Sequence, residues 1–234
     1  MFGFRSTMNP QQKGPEKPRR KPVQSRSWQT SLAIQEAFVR LLAGQDYGQV
    51  TIRAIVDLAG VGLGTFYEYF GSKEELARVC LHLRAKRIVL AMDECLAQRR
   101  GEPIAVIVDA LIAVNVGHHR ETPERWGPVY LLERHYSGRA AYRKMYGRFV
   151  ALWSRALQSA ADAPPAPVIE EASVTLQAIV YGLISHACID EGEEIDFPRL
   201  MRRLRGAAHG YLGTLGEPPG VRNEAGKTRQ NRLK

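Results

Sequence analysis

Apolar side chains recur at three- and four-residue spacing through most of this chain, the signature of helices burying one face. Ile34, Ala37, Phe38, Leu41 and Leu42 form one such face and predict a helix over Arg26–Ala43, closed by Gly44. Gln45–Val50 is a polar loop around Tyr47 and Gly48. Thr51 can cap the next helix with its hydroxyl, and Ile52, Ile55, Val56 and Ala59 give that helix its stripe. Gly60 supplies a sharp bend, and a short second helix runs from about Gly62 to Tyr69. Ser72 followed by Glu75 is a capping box, so another helix starts at Lys73.

The rest of the chain keeps the same texture. Lys73 to about Arg99 reads as one long helix with Leu76, Val79, Cys80, Leu83, Ile88, Leu90, Met92 and Leu96 inside. It would span roughly 40 Å and is the obvious mechanical link between the two ends of the fold. After the Gly101-Glu102-Pro103 break, Ile104 to about Val116 is apolar on nearly every side and should be central. Trp126-Gly127-Pro128 reads as a turn, with a helix resuming through Tyr130 and Tyr136 and another covering about Arg139–Ala160. Ala163–Pro167 reads as a loop, Val168–Ile189 as a long helix low in charge, and Asp190–Asp196 as an acidic separator before a last helix over Phe197 to about Leu212. Ala178, Gly182, Gly206 and Gly210 would let helices approach closely. The fold class expected is all-α.

The helix at 62–69 stands out because its only strongly apolar partners are Phe66 and Phe70. Leu63, Gly64, Thr65, Tyr67, Glu68 and Tyr69 are small, polar or amphipathic and free to meet a partner. The run AGVGLGTFYEYFGSKEEL resembles the DNA-binding domain of the TetR family of transcriptional regulators, carried by Ala59-Gly60-Val61, Gly64-Thr65-Phe66-Tyr67, Tyr69-Phe70 and Ser72-Lys73-Glu74. The resemblance covers about Arg26–Leu76. It implies a helix-turn-helix DNA-binding domain over 26–72, joined by the long helix to a ligand-binding and dimerisation domain over 73–213. A basic arm (1–25) and a tail (214–234), both without periodicity, would flank them. It further implies that Thr51, Tyr67, Tyr69 and Lys73 position phosphates, while Leu63, Gly64, Thr65 and Glu68 meet base edges. Gly62 departs from the serine cap common at that position. Leu63 replaces a frequent lysine or other polar residue, favouring a thymine methyl over guanine. The last two helices would pair with a second copy, although an intramolecular helix pair reads the same.

Charge refines this picture. The formal net charge is +9. Residues 1–27 hold seven basic side chains against Glu16, and residues 217–234 five against two acids, so residues 28–216 are balanced overall. Arg19, Arg20 and Lys21 then have two readings: a solubilising leader, or an arm that reaches phosphates or a minor groove. The three cysteines, Cys80, Cys95 and Cys188, are odd in number and far apart, as reduced thiols are. No run approaches the roughly 18 uncharged apolar residues of a membrane span, and no apolar segment follows the N-terminal charges as in a signal peptide. A cytoplasmic protein is expected.

Aromatics with polar tips crowd the second half, as in a small-molecule site. The candidate lining is Met92, Asp109, Asn115, Trp126, Tyr130, Tyr146, Trp153 and Tyr181. Asp109 and Asn115 would either fix a ligand or pair within the core. No metal or other cofactor is expected, because His118 and His119 are adjacent and the remaining histidines lack ligand spacing. No nucleophile motif or phosphate-binding glycine loop points to an enzyme. The partners implied are a palindromic double-stranded DNA operator, a second copy of the chain and an apolar or aromatic small molecule, with no membrane. The expected function is a ligand-released repressor. The alternatives are an activator, or a DNA binder without a small ligand.

Overall fold

The computed structural model describes residues 22–215. Among them the fold is all-helical. Nine α-helices follow in order: α1 (Pro22–Gly44), α2 (Ile52–Ala59), α3 (Leu63–Tyr69), α4 (Lys73–Ala97), α5 (Ile104–Arg120), α6 (Trp126–Tyr136), α7 (Arg139–Gln158), α8 (Ala166–Asp190) and α9 (Phe197–Thr214). Single 3-10 turns at Pro123–Arg125 and Gly192–Glu194 precede α6 and α9.

Local chemistry sets the helix ends. Thr51 Oγ1 accepts from the Ala54 amide at 3.1 Å, and Gly60 closes α2 at φ 68°, a left-handed conformation that glycine adopts without strain. Ser72 Oγ accepts from the Glu75 amide at 3.1 Å, while the Glu75 carboxylate reaches back to the Gly71 amide at 2.8 Å. Asp196 caps α9 through the Arg199 amide.

Three boundaries differ from the sequence reading. First, α1 begins at Pro22, inside the stretch read as a disordered arm, and proline suits a helix's first position. Arg19, Arg20 and Lys21 lie outside the described residues, as does the expected tail beyond residue 215. Second, Trp126-Gly127-Pro128 is the first turn of α6. Proline costs nothing there because first-turn amides have no helical partner. Gly127 is required by packing: a Cβ would sit 2.5 Å from the Cys188 carbonyl oxygen of α8. Third, Ala166 and Pro167 belong to the first turn of α8 for the same reason as Pro128.

The core runs without interruption from Phe38, Ile55 and Phe66 through Met92 and Leu111 to Trp153, Leu176 and Leu204, all fully buried or nearly so. Helix α4 lies against α5, α6 and α7, and α8 against α6, α7 and α9. By length and composition α8 is apolar enough to cross a bilayer, which the sequence reading did not expect, but half of that window is buried in this core. Helix α1 contacts α6 and the adjoining 3-10 turn more extensively than it contacts α4. The long helix is therefore not the sole link between the first three helices and the rest.

Candidate nucleic-acid interface and ligand cavity

Helix α3 is seven residues long and held from beneath by one ring. Phe66 is fully buried, with Phe70 beside it at a centroid distance of 5.8 Å. The opposite face is open: Leu63 is 49% exposed and Tyr67 54%, with Gly64 and Glu68 also exposed and Thr65 half-buried. Gly62 provides no side-chain cap, leaving the amides at the start of α3 without a partner from that residue.

Thr51, Tyr67 and Lys73 share one shallow concavity of about 360 Å³ with Gly48, Gly71 and Ser72. Lys73 is held in place rather than free to swing. Its ammonium donates to the carbonyls of Tyr47 (2.9 Å) and Val50 (2.7 Å) and lies 4.1 Å from the Tyr47 ring centroid. Three donors on an ammonium minus two used leave one for a ligand. Tyr69 is placed elsewhere. Two residues on from Tyr67, it turns to the far side of α3, where its hydroxyl donates to Ser27 Oγ of α1 at 3.1 Å. Tyr47 is the residue that sequence reasoning missed. Its hydroxyl donates to Glu74 at 3.3 Å and its ring packs on Phe38 and on Tyr136 of α6, the latter at 4.4 Å. Burial and the Glu74 carboxylate push its phenol well above the usual range.

The second site is a cavity between α4, α5, α6, α7 and α8. Its walls are Leu81, Arg84, Ala85 and Ile88 of α4; Asn115 of α5; Trp126, Val129, Tyr130 and Glu133 of α6; Met145, Tyr146 and Phe149 of α7; and Gln177, Tyr181 and Ile184 of α8. Five expected lining residues meet here: Asn115, Trp126, Tyr130, Tyr146 and Tyr181. Three do not. Met92 is wholly buried in the core of α4. Trp153 is wholly buried and its indole donates to Gln177 at 3.1 Å, stitching α7 to α8 behind the cavity. Asp109 points to the α5–α9 seam, where it accepts from His209 at 2.8 Å and pairs with Arg205 at 3.4 Å.

Arg84 and Glu133 line the cavity, though sequence reasoning passed over both. The signal was present: each sits inside an apolar stripe, Leu81–Arg84–Ala85–Ile88 and Trp126–Val129–Tyr130–Glu133, at helical spacing. The Arg84 guanidinium lies 5.0 Å from the Trp126 ring and makes no hydrogen bond or ion pair among the described residues. Glu133 is buried and accepts from the Tyr181 hydroxyl at 3.3 Å; burial pushes its carboxyl up to about 7. His119, also buried, places Nδ1 2.8 Å from the Asn115 carbonyl and Nε2 2.8 Å from the Tyr130 hydroxyl. A carbonyl only accepts, so Nδ1 carries the proton and Nε2 accepts from Tyr130. Burial lowers this imidazole to about 4, so it is neutral at pH 7. The Trp126 indole N–H is buried without a partner among the described residues.

The cavity's free volume is about 50 Å³, room for a water or two. A drug-sized ligand needs several hundred cubic ångströms, so admitting one requires the walls to move.

Residues 34–80, which contain all of α2 and α3, match the family model described as bacterial regulatory proteins, tetR family. Over these residues the chain is similar to the DNA-binding domain of the TetR family. A curated relative, the HTH-type transcriptional regulator YxbF of Bacillus subtilis, is 25% identical over 124 residues, which is 50% of this chain and 32% of that protein. The chain thus spans about a third of that relative's length. Among solved structures, a putative TetR-family regulator of Mesorhizobium loti superposes with a TM-score of 0.64 at 16% identity, covering 81% of this chain and 98% of that one. A TetR-like regulator of Rhodococcus reaches 0.60 at 18%, with 80% and 97% covered. FadR of Bacillus subtilis, solved in complex with stearoyl-CoA, reaches 0.61 at 16%, with 76% and 98% covered. Identities this low carry the TetR fold across the chain.

Proposed function

We propose that this protein is a TetR-family transcriptional regulator that binds a palindromic operator as a homodimer and is released by a small, largely apolar or aromatic ligand. The observation that carries the reading is the exposed face of α3 beside a concavity holding Thr51, Tyr67 and the doubly anchored Lys73. In this reading Leu63, Gly64, Thr65 and Glu68 meet base edges, and Tyr67, Thr51 and Lys73 hold phosphates on either side. Tyr69 acts indirectly, by fixing α3 to α1. Residues 26–72 form the DNA-reading unit and 73–213 the ligand-binding and dimerisation unit.

One seven-residue helix reaches few base pairs, so useful affinity needs two copies about 34–36 Å apart. The α8 face carrying Val174, Ala178, Gly182 and His186 is exposed in the protomer, as are Gly206, Ala207 and Gly210 of α9. A Cβ added at Gly182, Gly206 or Gly210 would meet nothing within 4 Å, leaving room for a second copy. A ligand that opens the cavity would move α4 and α6 together and alter the separation of the two reading helices.

The small free volume of the cavity favours a second reading, a DNA binder without a small ligand. Selection of bound duplexes from a random pool by the full chain tests the common part. The expected result is a palindrome bound by two chains, with affinity falling steeply in salt. A monomer indifferent to duplex DNA at low ionic strength overturns both readings. The two separate in a screen of apolar aromatic compounds against the DNA complex, where release by none of them favours the ligand-free reading.

A further inference from the structure

The charge balance of residues 28–216 conceals a local imbalance. Helix α7 carries Arg139, Arg143, Lys144, Arg148 and Arg155 and no acid, and α4 carries no acid between Glu75 and Asp93. Where these helices face each other they form a cleft of about 150 Å³ lined by Arg78, His82, Lys144 and Arg148, with no carboxylate in its wall. Two cations elsewhere on the same helices are paired, Arg155 with Asp93 and Arg87 with Glu121. Arg78, Lys144 and Arg148 form no ion pair among the described residues. Arg148 lies 3.4 Å from His82 Nδ1, to which it can donate only when that nitrogen carries no proton. Burial first, and then the charges of Arg148, Lys86 and Lys144, lower the His82 pKa. Like charges gathered in a concavity raise the local concentration of anions.

The cleft adjoins the aromatic cavity. Leu81 and Met145 line both, so two apolar side chains, one of them the flexible thioether of methionine, are the partition between them. We propose that the α4–α7 cleft is the head-group subsite for an amphiphile bearing a phosphate-class anion, whose apolar tail displaces Leu81 and Met145 to enter the aromatic cavity. The proposal rests on the reading of that cavity as a ligand site and deepens it. It also accounts for how a void of about 50 Å³ becomes a binding site, since the head group is captured before the partition opens. Arginine and lysine suit this role because charge-assisted bonds to phosphate are about twice as strong as neutral ones.

Calorimetric titration of the full chain with dodecyl phosphate, dodecanol and inorganic phosphate tests it, alongside the K144E/R148E variant checked for unchanged helicity and melting temperature. Lys144→Gln, a milder change, guards against misfolding of the double variant. Dodecyl phosphate should bind wild type at least about tenfold more tightly than either of the other two. The double variant should lose that preference while retaining dodecanol affinity, with K144Q intermediate. Equal affinity for dodecyl phosphate and dodecanol overturns the head-group subsite and leaves the cavity reading standing. Binding of neither overturns both. Inorganic phosphate binding as tightly as dodecyl phosphate makes the cleft a free-phosphate site and overturns the amphiphile. Recruitment to phosphatidylglycerol vesicles without binding of monomeric dodecyl phosphate points to a membrane surface and overturns it too. If the double variant loses affinity for duplex DNA while dodecyl phosphate binding is unchanged, the cleft serves nucleic acid and the proposal fails.

Discussion

Helix α3 and the cavity solve opposite packing problems. Around α3 most determinants are local: Thr51 caps through Ala54, Gly60 turns the chain, Ser72 and Gly71 exchange bonds with Glu75, and Phe66 anchors the exposed face, with the Tyr69–Ser27 bond to α1 the long-range exception. Around the cavity the determinants lie far apart in sequence: Trp153 with Gln177, Tyr181 with Glu133, His119 with Tyr130, Gly127 against Cys188. A short element with polar work to do is specified by its neighbours along the chain. A cavity is specified by five helices at once, and the pairs that brace it form only when those helices are in place.

The strongest way to break this contrast is at its two anchors. Phe66→Ala should cost about 3–5 kcal/mol in denaturant unfolding, and so should Trp153→Ala, which also strands Gln177. Only the first should abolish DNA binding at temperatures where the fold survives. Gly127→Ala comes next. With a backbone carbonyl 2.5 Å from the new Cβ, α6 and α8 must part, at about 1–3 kcal/mol.

The pH response discriminates more finely. Glu133, raised to about 7 in the fold, binds more protons folded than unfolded, so its contribution to stability is full below about 4.5 and is lost as pH rises towards 7. His119, lowered to about 4, binds fewer protons folded, so its contribution is lost as pH falls from about 6.5 towards 4. The slopes oppose each other over the shared range, and wild-type unfolding free energy should vary little there. Glu133→Gln should unmask a rise with pH, and His119→Gln a fall. Parallel profiles in all three proteins would remove the account of this cluster. Smaller still, Thr51→Ala should cost about 1 kcal/mol through the lost cap and weaken DNA binding as well. Gly117→Ala, in an open helix interior of α5, should stabilise by about 0.5–1 kcal/mol and leave both sites unchanged.

The same contrast decides what can be read from residues alone. The bend at Gly60, the caps at Thr51 and Ser72 and the open face of α3 were legible because their partners lie within four positions. Tyr69 stands with Tyr67 in the expected phosphate-positioning set, yet two residues on a helix point nearly opposite ways and its hydroxyl meets Ser27 instead. Trp126-Gly127-Pro128 reads as a turn until Cys188 is known to press on Gly127. Asp109 looked like a cavity group because His209, its partner, is a hundred residues away. The basic cleft is invisible in the net charge of 28–216, since a sum carries no position. Arg84 and Glu133 were within reach, and a charged residue inside an apolar stripe deserves weighing before any aromatic.

Under the proposed function, two contacts alter how a disturbance in the cavity would reach the DNA. The first three helices are fastened both at the start of α4 and by Tyr47 on Tyr136 and Glu36 on Arg125, two fixings on separate helices. A body held at two points moves with both supports instead of sliding past either. A swing of α4 by roughly 5° about its Ala97 end carries its Lys73 end, and α3 beside it, about 3 Å over the helix's ~37 Å. That is close to the rise of one base step, about 3.4 Å. Loss of register on DNA therefore needs only a shift on the scale of a side-chain rearrangement.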